Sequence, residues 1–271
     1  MKIDLHTHSR YSDGSESLEH LFQQAKAAGI THLGVVDHDT TAHHAEGRKL
    51  ATQYNIEFIA GVEISAYDFQ RQRKVHMLGY GFHGECPHIQ ALCKSLLARR
   101  HAHSLWQLAR IQEAGFALNK EKAIAFAGES GTLYKQHIMN ALTEESYDAK
   151  NYQTLYRSLF KNAGVAAGDI CYVDAIDALH AIHADGGVAI LAHPGQLDSF
   201  EIAEELVQEG LDGIELIHPD HTPMHMERVK QLADKYNLIT TGGSDYHGRY
   251  GAPVQLGQYS ISHLQTPAFI K

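Results

Sequence analysis

Residues 3–8, Ile3-Asp4-Leu5-His6-Thr7-His8, form a short apolar segment that ends in two histidines one residue apart. In a β-strand, side chains two positions apart project to the same side. His6 and His8 therefore share a face and can share one metal ion. The Asp13-Gly14 turn returns a carboxylate to the same neighbourhood. The pattern recurs along the chain. Strand-like runs lead to Asp37-His38-Asp39, Glu63, His193, His218, and finally Asp245 and His247, and His76 lies inside another run. In a βα barrel the C-terminal ends of the parallel strands converge on one face, where active sites are built. Packing alone does not account for so many strands ending in histidine or acid.

The spacing predicts alternating strands and helices. Residues 3–6, 32–36 and 56–59 read as strands. Residues 17–28 read as an amphipathic helix, with Leu18, Leu21, Phe22 and Ala25 on one face and Gly29 as its stop. A second helix is predicted over 41–54. The next strand, 75–80, follows a short charged turn at 71–74. Parallel neighbours need a crossover of roughly a dozen residues, so a hairpin is expected here. From about 88 to 160 the pattern becomes helical, and the next strand is expected at 170–173. Alternation then resumes with a helix over 174–184 capped by Asp174, a strand over 188–192, a helix over 200–209 and a strand over 213–217. A helix over 223–236 and a strand over 238–241 complete the pattern. The tail beyond His247 is poorly patterned. The expected organisation is an α/β domain formed by residues 1–90 and 168–271, interrupted by a helical insertion over 91–167.

At 271 residues the chain is long enough for one α/β barrel or two smaller domains. No stretch approaches the roughly 18 apolar residues of a membrane helix. The first residues lack the basic region and apolar run of a signal peptide, so a cytoplasmic location is expected. The three cysteines form no CxxC pair, which fits a reduced compartment. A formal charge of −9 with no long basic run argues against a large nucleic-acid surface. It leaves room for a nucleotide held at a metal centre, where the ions supply positive charge.

The 21 histidines nearly match the 23 lysines and arginines. His20, His43, His44, His101 and His103 lie in polar helical stretches and read as solvated. Imidazole and carboxylate without cysteine suit Zn²⁺, Mn²⁺ or Fe²⁺. The candidates are too many for one ion, and Glu63 could bridge two. Ions roughly 3.5–4 Å apart are the arrangement of phosphatases and nucleases. Asp37 or Asp39 could orient a ligand histidine. His76 reads equally as a ligand and as a core histidine. His137 has no local motif and reads as helix surface. His193 could be a ligand, a phosphate contact or a general acid. His218 and His221 share one loop, where His218 reads at least as readily as a capping or surface residue.

Taken in series, His6-x-His8, Asp37-His38-Asp39, Gly61-Val62-Glu63, Val75-His76-x-x-Gly79, Ala192-His193-Pro194 and Gly243-Ser244-Asp245-x-His247 resemble the motifs of the PHP (polymerase and histidinol phosphatase) superfamily. The resemblance spans the chain and is closest to the stand-alone metal-dependent phosphoesterases, some of which are 3′,5′-nucleoside bisphosphate phosphatases or 5′→3′ exoribonucleases. It implies a distorted (β/α)7 barrel and two or three divalent ions (Mn, Zn or Fe). It assigns His6, His8, Glu63 and Asp245 to a first ion. Glu63, His76 and His137 fall to a second, and Asp13, His38 and His247 to a third. His193 resembles a substrate-side histidine, and Lys135, Arg10 and His221 become candidate phosphate contacts. Where members carry a basic residue and a proline before the strand at 170–173, this chain has Ala167-Gly168-Asp169-Ile170.

The expected activity is metal-dependent hydrolysis of a nucleotide phosphomonoester, with 3′,5′-nucleoside bisphosphates foremost. A hydroxide bridging two ions would attack phosphorus, and His193 and Asp245 would be the catalytic side chains. The expected partner is a phosphorylated small molecule or short oligonucleotide, with no membrane. The alternatives are a 5′→3′ exoribonuclease on short RNA, a metal-dependent amide or lactone hydrolase, and a non-catalytic metal-binding regulatory module.

Overall fold

A computed structural model describes residues 1–264; residues 265–271, the end of the poorly patterned tail, lie outside the described part. Strand β1 (Ile3–Asp4) leads through α1 (Leu18–Ala27) to β2 (His32–Val35) and α2 (His44–Tyr54). Ser17 caps α1 by accepting the His20 N–H, and Leu18, Leu21, Phe22 and Ala25 are its buried face. β3 (Glu57–Asp68) continues far beyond the strand predicted at 56–59 and carries Glu63 in its middle. It turns directly into β4 (Arg73–Tyr80), and the two pair antiparallel with Ser65 opposite His76. The short charged link thus forms the expected hairpin.

Helices α3 (Pro87–Glu113), α4 (Lys120–Phe126), α5 (Lys135–Leu142) and α6 (Lys150–Phe160) follow. They close over a cluster of their own that includes Leu108, Ile111, Leu133, Ile138, Met139 and Leu159. The first half of α3 packs on the barrel instead, through Ile89, Cys93 and Leu96. The strand predicted at 170–173 shrinks to β5 (Val173–Asp174), which pairs with β3. The Cys171 carbonyl accepts from Arg99 Nε rather than from a neighbouring strand.

The rest alternates: α7 (Ala175–Ala184), β6 (Val188–Leu191), α8 (Pro194–Leu197), α9 (Ala203–Gln208), β7 (Gly213–Ile217), α10 (Pro223–Tyr236) and β8 (Ile239–Gly242). Asp174 caps α7 as predicted, accepting the Ile176 N–H. The single helix predicted over 200–209 is a 3-10 turn (Phe200–Ile202) that leads into α9.

The sheet runs β1-β2-β3-β4-β6-β7-β8, with β5 attached to β3. All neighbours are parallel except the two ladders made by β4. Past the named strands, Leu5 N–H donates to Gly242 O (3.2 Å) and His8 N–H to Tyr246 O (2.9 Å), which nearly closes a barrel. Gly243 permits this seam: a Cβ there would lie 2.3 Å from the His6 backbone nitrogen. This is the distorted (β/α)7 barrel with helices around it. Ile3, Leu5, Ile59, Leu78, Tyr80 and Ile190 fill its interior, and none is exposed. Each such burial contributes roughly 1.5–3 kcal/mol. Among the described residues no helix is long and apolar enough to cross a membrane.

Candidate metal centre

One buried carboxylate lies at the middle of the barrel mouth. Glu63 Oε2 is 3.1 Å from His6 Nε2 and 3.1 Å from His8 Nε2, and its Oε1 is 2.6 Å from His76 Nδ1 and 2.8 Å from His193 Nε2. His38 Nδ1 is 3.6 Å from Oε2. Asp245 faces Glu63, with Oδ1 3.4 Å from His6 Nε2, 3.3 Å from His8 Nε2 and 3.5 Å from His247 Nδ1. Asp13 Oδ1 lies 3.3 Å from His247 Nε2.

These atoms form overlapping groups whose members lie within 4.8 Å of one another: His6, His8, Glu63 and Asp245; His38, Glu63 and His76; and His8, Asp13, His38 and His247. His8 Nε2 and His38 Nδ1 are buried beside Glu63 yet make no hydrogen bond. Buried nitrogens without hydrogen bonds are costly. Lone pairs converging on one point with carboxylates fit divalent cations, and the donor set of imidazole and carboxylate is that of Zn²⁺, Mn²⁺ or Fe²⁺.

The charges agree. Burial pushes Glu63 up, but His38, His76 and His6 around it hold it well below the usual carboxylate range. Burial opposes charge on His247, yet Asp13 and Asp245 push it up to about 10. His38, where burial dominates, falls to about 4 and stays neutral, the form that ligates. The cluster is a negative cage that holds protons where cations would sit.

Backbone geometry marks the same place. Asp39, His193 and Asp245 have φ of 61, 22 and 47°, a region that side-chain-bearing residues rarely adopt. All three stand on the loops that leave strand ends.

His6, His8, Asp13, His38, Glu63, His76, Asp245 and His247 converge, with His38 both in the expected group with Asp13 and His247 and in the one that holds Glu63 and His76. His76 arrives differently from the rest, because β4 runs antiparallel and its early residues, not its exit, face the mouth. His137 is in none of the converging groups. Its Nδ1 accepts the Tyr134 N–H (3.2 Å) in a capping box on α5, which occupies that nitrogen. It is nonetheless buried rather than helix surface. His193 lies on the centre through Glu63.

Of the phosphate contacts, Lys135 lines a chamber beside the centre. Arg10 does not: it is exposed, and its Nε donates to Ser15 O (2.8 Å). His221 is also corrected, since both ring nitrogens serve the backbone. Nδ1–H donates to Leu216 O and Nε2 accepts the Gly195 N–H. His43 and His44 are not solvated; they are buried, with Nε2–H donating to Val35 O and Gly61 O respectively. Neither Asp37 nor Asp39 orients a ligand of the centre. Asp37 accepts from Ser9 and Ser12 and so fixes the turn to Asp13. Asp39 pairs with Arg100 at 2.8 Å.

The orienting role falls to Glu215, which the sequence reading missed, and to His218, which it read as a capping or surface residue. Glu215, fully buried on β7, accepts from His6 Nδ1 at 2.9 Å and from the His193 backbone N–H at 2.9 Å. That bond turns His6 Nε2 towards the centre, the usual work of a carboxylate behind a ligand histidine. The signal was an acid in the middle of an apolar strand, Gly213-Ile214-Glu215-Leu216-Ile217. His218, also buried, is 3.2 Å from Asp245 Oδ2 through Nε2, while its Nδ1 accepts the Asp220 N–H.

A chamber of about 250 Å³ opens over the ligands. A second, of about 390 Å³, shares Asp13, His38, His76 and Gln136 with it and brings Lys74, Arg100, Lys135 and Lys161 together. Lys74 is paired with Asp169 and Arg100 with Asp39, whereas Lys135 and Lys161 make no ion pair among the described residues and lie over the Phe160 and Tyr156 rings, 6.0 and 5.8 Å from the centroids. Burial, then the neighbouring cations Lys74, Lys161 and Arg100, bring Lys135 down to about 8 against the pull of Asp169.

Comparison with known proteins agrees with this geometry. Residues 4–212 match the PHP domain. The phosphoribosyl 1,2-cyclic phosphate 1,2-diphosphodiesterase of Eggerthella lenta is 50% identical over 94% of this chain and 97% of its own. The 3′,5′-nucleoside bisphosphate phosphatase of Chromobacterium violaceum is 29% identical over 90% of this chain and 87% of its own. A crystal structure from Bifidobacterium adolescentis, described as a candidate metal-dependent phosphoesterase, superposes with a TM-score of 0.85 at 28% identity, covering 95% of this chain and 91% of that one. Barrel, ligand order and relatives lead to one conclusion: the chain belongs to the PHP domain family.

Proposed function

We propose that this metal-dependent phosphoric ester hydrolase acts on a ribose that carries two phosphates. The reacting phosphate would sit over the histidine cage and the other in the basic chamber. The observation that carries this reading is that the Lys135 chamber opens directly off the metal centre and shares its wall. A phosphoribosyl cyclic phosphate and a 3′,5′-nucleoside bisphosphate both meet that description. The 50% identity to a cyclic phosphate diphosphodiesterase favours the cyclic diester as first substrate over the bisphosphate expected from sequence.

His6, His8, Glu63 and Asp245 would hold one divalent ion, and Glu63 could bridge it to a second at His76; His38, with one lone pair to give, would serve either that second ion or one held by Asp13 and His247. When bound, such ions lower the pKa of coordinated water and neutralise charge on phosphoryl oxygens. The chain's own residues do the rest. Glu215 fixes His6 and the His193 backbone. His218 fixes the outer oxygen of Asp245, leaving the inner one directed at the centre. His193, whose Nε2 lies 2.8 Å from Glu63 Oε1 at the edge of the centre, would hand a proton to the departing sugar oxygen. Lys135 and Lys161 bind the remote phosphate and set the ester against the centre.

The test is phosphate release and diester opening across a panel: phosphoribosyl 1,2-cyclic phosphate, a 3′,5′-nucleoside bisphosphate, a short 5′-phosphorylated RNA, and a ribosyl cyclic phosphate lacking the remote phosphate. The doubly phosphorylated riboses should turn over best, and chelation should abolish turnover until Mn²⁺ is restored. Equal turnover with and without the remote phosphate, or activity that survives exhaustive chelation, would sink the proposal.

A further inference from the structure

Gln136 stands where three cavities meet. It lines the metal chamber, the lysine chamber and a further cavity of about 590 Å³ whose rings are Phe126, Tyr147, Tyr152 and Tyr250. It is the second residue of α5, and successive helical residues turn by about 100°. Ile138, roughly opposite, is buried in the cluster of the helical segment. Gln136 is thereby presented to the barrel, and its Nε2–H donates to Asp13 Oδ2 at 2.7 Å.

Asp13 presents one oxygen to the cage and the other to Gln136. Its Oδ1 lies 3.3 Å from His247 Nε2 and 3.9 Å from His8 Nδ1, within the group that His38 completes. Ser12 Oγ is 3.3 Å from the same oxygen, but it has a single proton, and Asp37 Oδ1 takes it at 2.7 Å. Gln136 is left to hold Oδ2. An ionised carboxylate only accepts, so the amide turns its nitrogen to it. The arrangement repeats what Glu215 does behind His6 and His218 behind Asp245. Those two supports belong to the barrel, however, and Gln136 belongs to the helical segment. The same segment reaches a second member of the group, because the Tyr134 hydroxyl donates to His38 O at 3.2 Å.

We propose that Gln136 is the positioning residue of Asp13, and that the cation position at Asp13, His38 and His247 is completed by the helical segment rather than by the barrel. The proposal rests on the reading of a metal centre and goes beyond it. Loss of the Gln136 bond weakens this position and leaves the one at His6, His8, Glu63 and Asp245 intact.

The experiment is calorimetric titration of the metal-free protein with Mn²⁺, with metal per chain counted by elemental analysis. Asp13→Asn identifies the binding step that belongs to this position. In Gln136→Leu, which keeps the bulk and drops the donor, that step should weaken about 10–100-fold, as removal of a partner behind a metal ligand does, while the tighter steps stay within about twofold. Gln136→Ala should do the same with a smaller side chain. The double variant Asp13→Asn with Gln136→Leu should bind no more weakly than Asp13→Asn alone, because both changes act through one carboxylate. Thermal melts of the metal-free proteins separate this pattern from unfolding. A step unchanged in both Gln136 variants, or all steps weakened alike, overturns the proposal. So does an Asp13→Asn protein that loses no binding step; chelation-sensitive turnover would then leave the proposed function standing.

Discussion

The floor and the walls of this site are built by opposite rules. The floor is the barrel mouth, where Glu63, Asp245 and Asp13 stand among His6, His8, His38, His76, His193 and His247; most are buried, and His76, Asp245 and His247 are partly exposed to the chamber. Each group there faces several others, and many come from different strands. The walls come largely from the helical segment and the loops beside it, where Lys135, Lys161, Tyr147 and Phe126 each make few specific contacts. A network in low dielectric is costly to leave half satisfied. The floor is therefore a unit, whereas the walls can change one residue at a time. On the proposed function, chemistry belongs to the first and choice of substrate to the second.

That contrast can be broken by experiment. The largest effect is expected at the shared carboxylate. Glu63→Gln removes the charge that His6, His8, His38, His76 and His193 all face, and turnover should fall by about 10³-fold or more, with loss of bound metal by elemental analysis. Retention of metal and of a tenth of the activity would show that the floor is not a unit. Next comes the support behind it. Glu215→Gln keeps the shape but weakens the hold on His6, and metal affinity or kcat should drop by about 10–100-fold. Metal titration read alongside kcat separates this from a simple folding defect.

A wall residue should behave otherwise. Lys135→Ala should raise KM for a doubly phosphorylated substrate about tenfold, with kcat nearly unchanged. The pH dependence sharpens it. Lys135 titrates at about 8, so its charge is present below that pH and lost above. KM should therefore rise as pH passes 8, and Lys135→Arg, which stays charged, should flatten the profile. A KM independent of pH from 7 to 9 in the wild type removes Lys135 from the site. The smallest effect is expected from Arg10→Ala, whose side chain caps Ser15 O on the surface: kcat/KM should stay within about twofold. A larger loss would place the N-terminal loop among the walls.

How legible these parts were follows the same division. Strand-end ligands advertise themselves because periodicity places a strand and polarity marks its exit. His6, His8, Glu63, Asp245 and His247 were found that way, before any family resemblance was invoked. His137, Arg10 and His221 were assigned by resemblance, and local hydrogen bonds turn each elsewhere: into the α5 cap, onto Ser15, and onto Leu216 and Gly195. Glu215 was overlooked because an acid inside an apolar strand has no meaning until the strand has neighbours. His43 and His44 looked solvated because a polar helix start looks alike whether it faces water or the backs of β2 and β3.

The sequence by itself determined the alternation of strands and helices, the β3–β4 hairpin, the helical segment and the chemical type of the centre. These follow from local spacing: period two in strands, 3.6 in helices, and a link too short to cross over. Only the tertiary structure decided which ligands group together, that β4 brings His76 to the mouth from its early residues, and that Glu215 stands behind His6. It alone placed a cationic chamber and an aromatic one beside the cage, with Gln136 lining both. Those are matters of which distant residues become neighbours when the barrel closes at the Gly243 seam, and no local pattern carries that information.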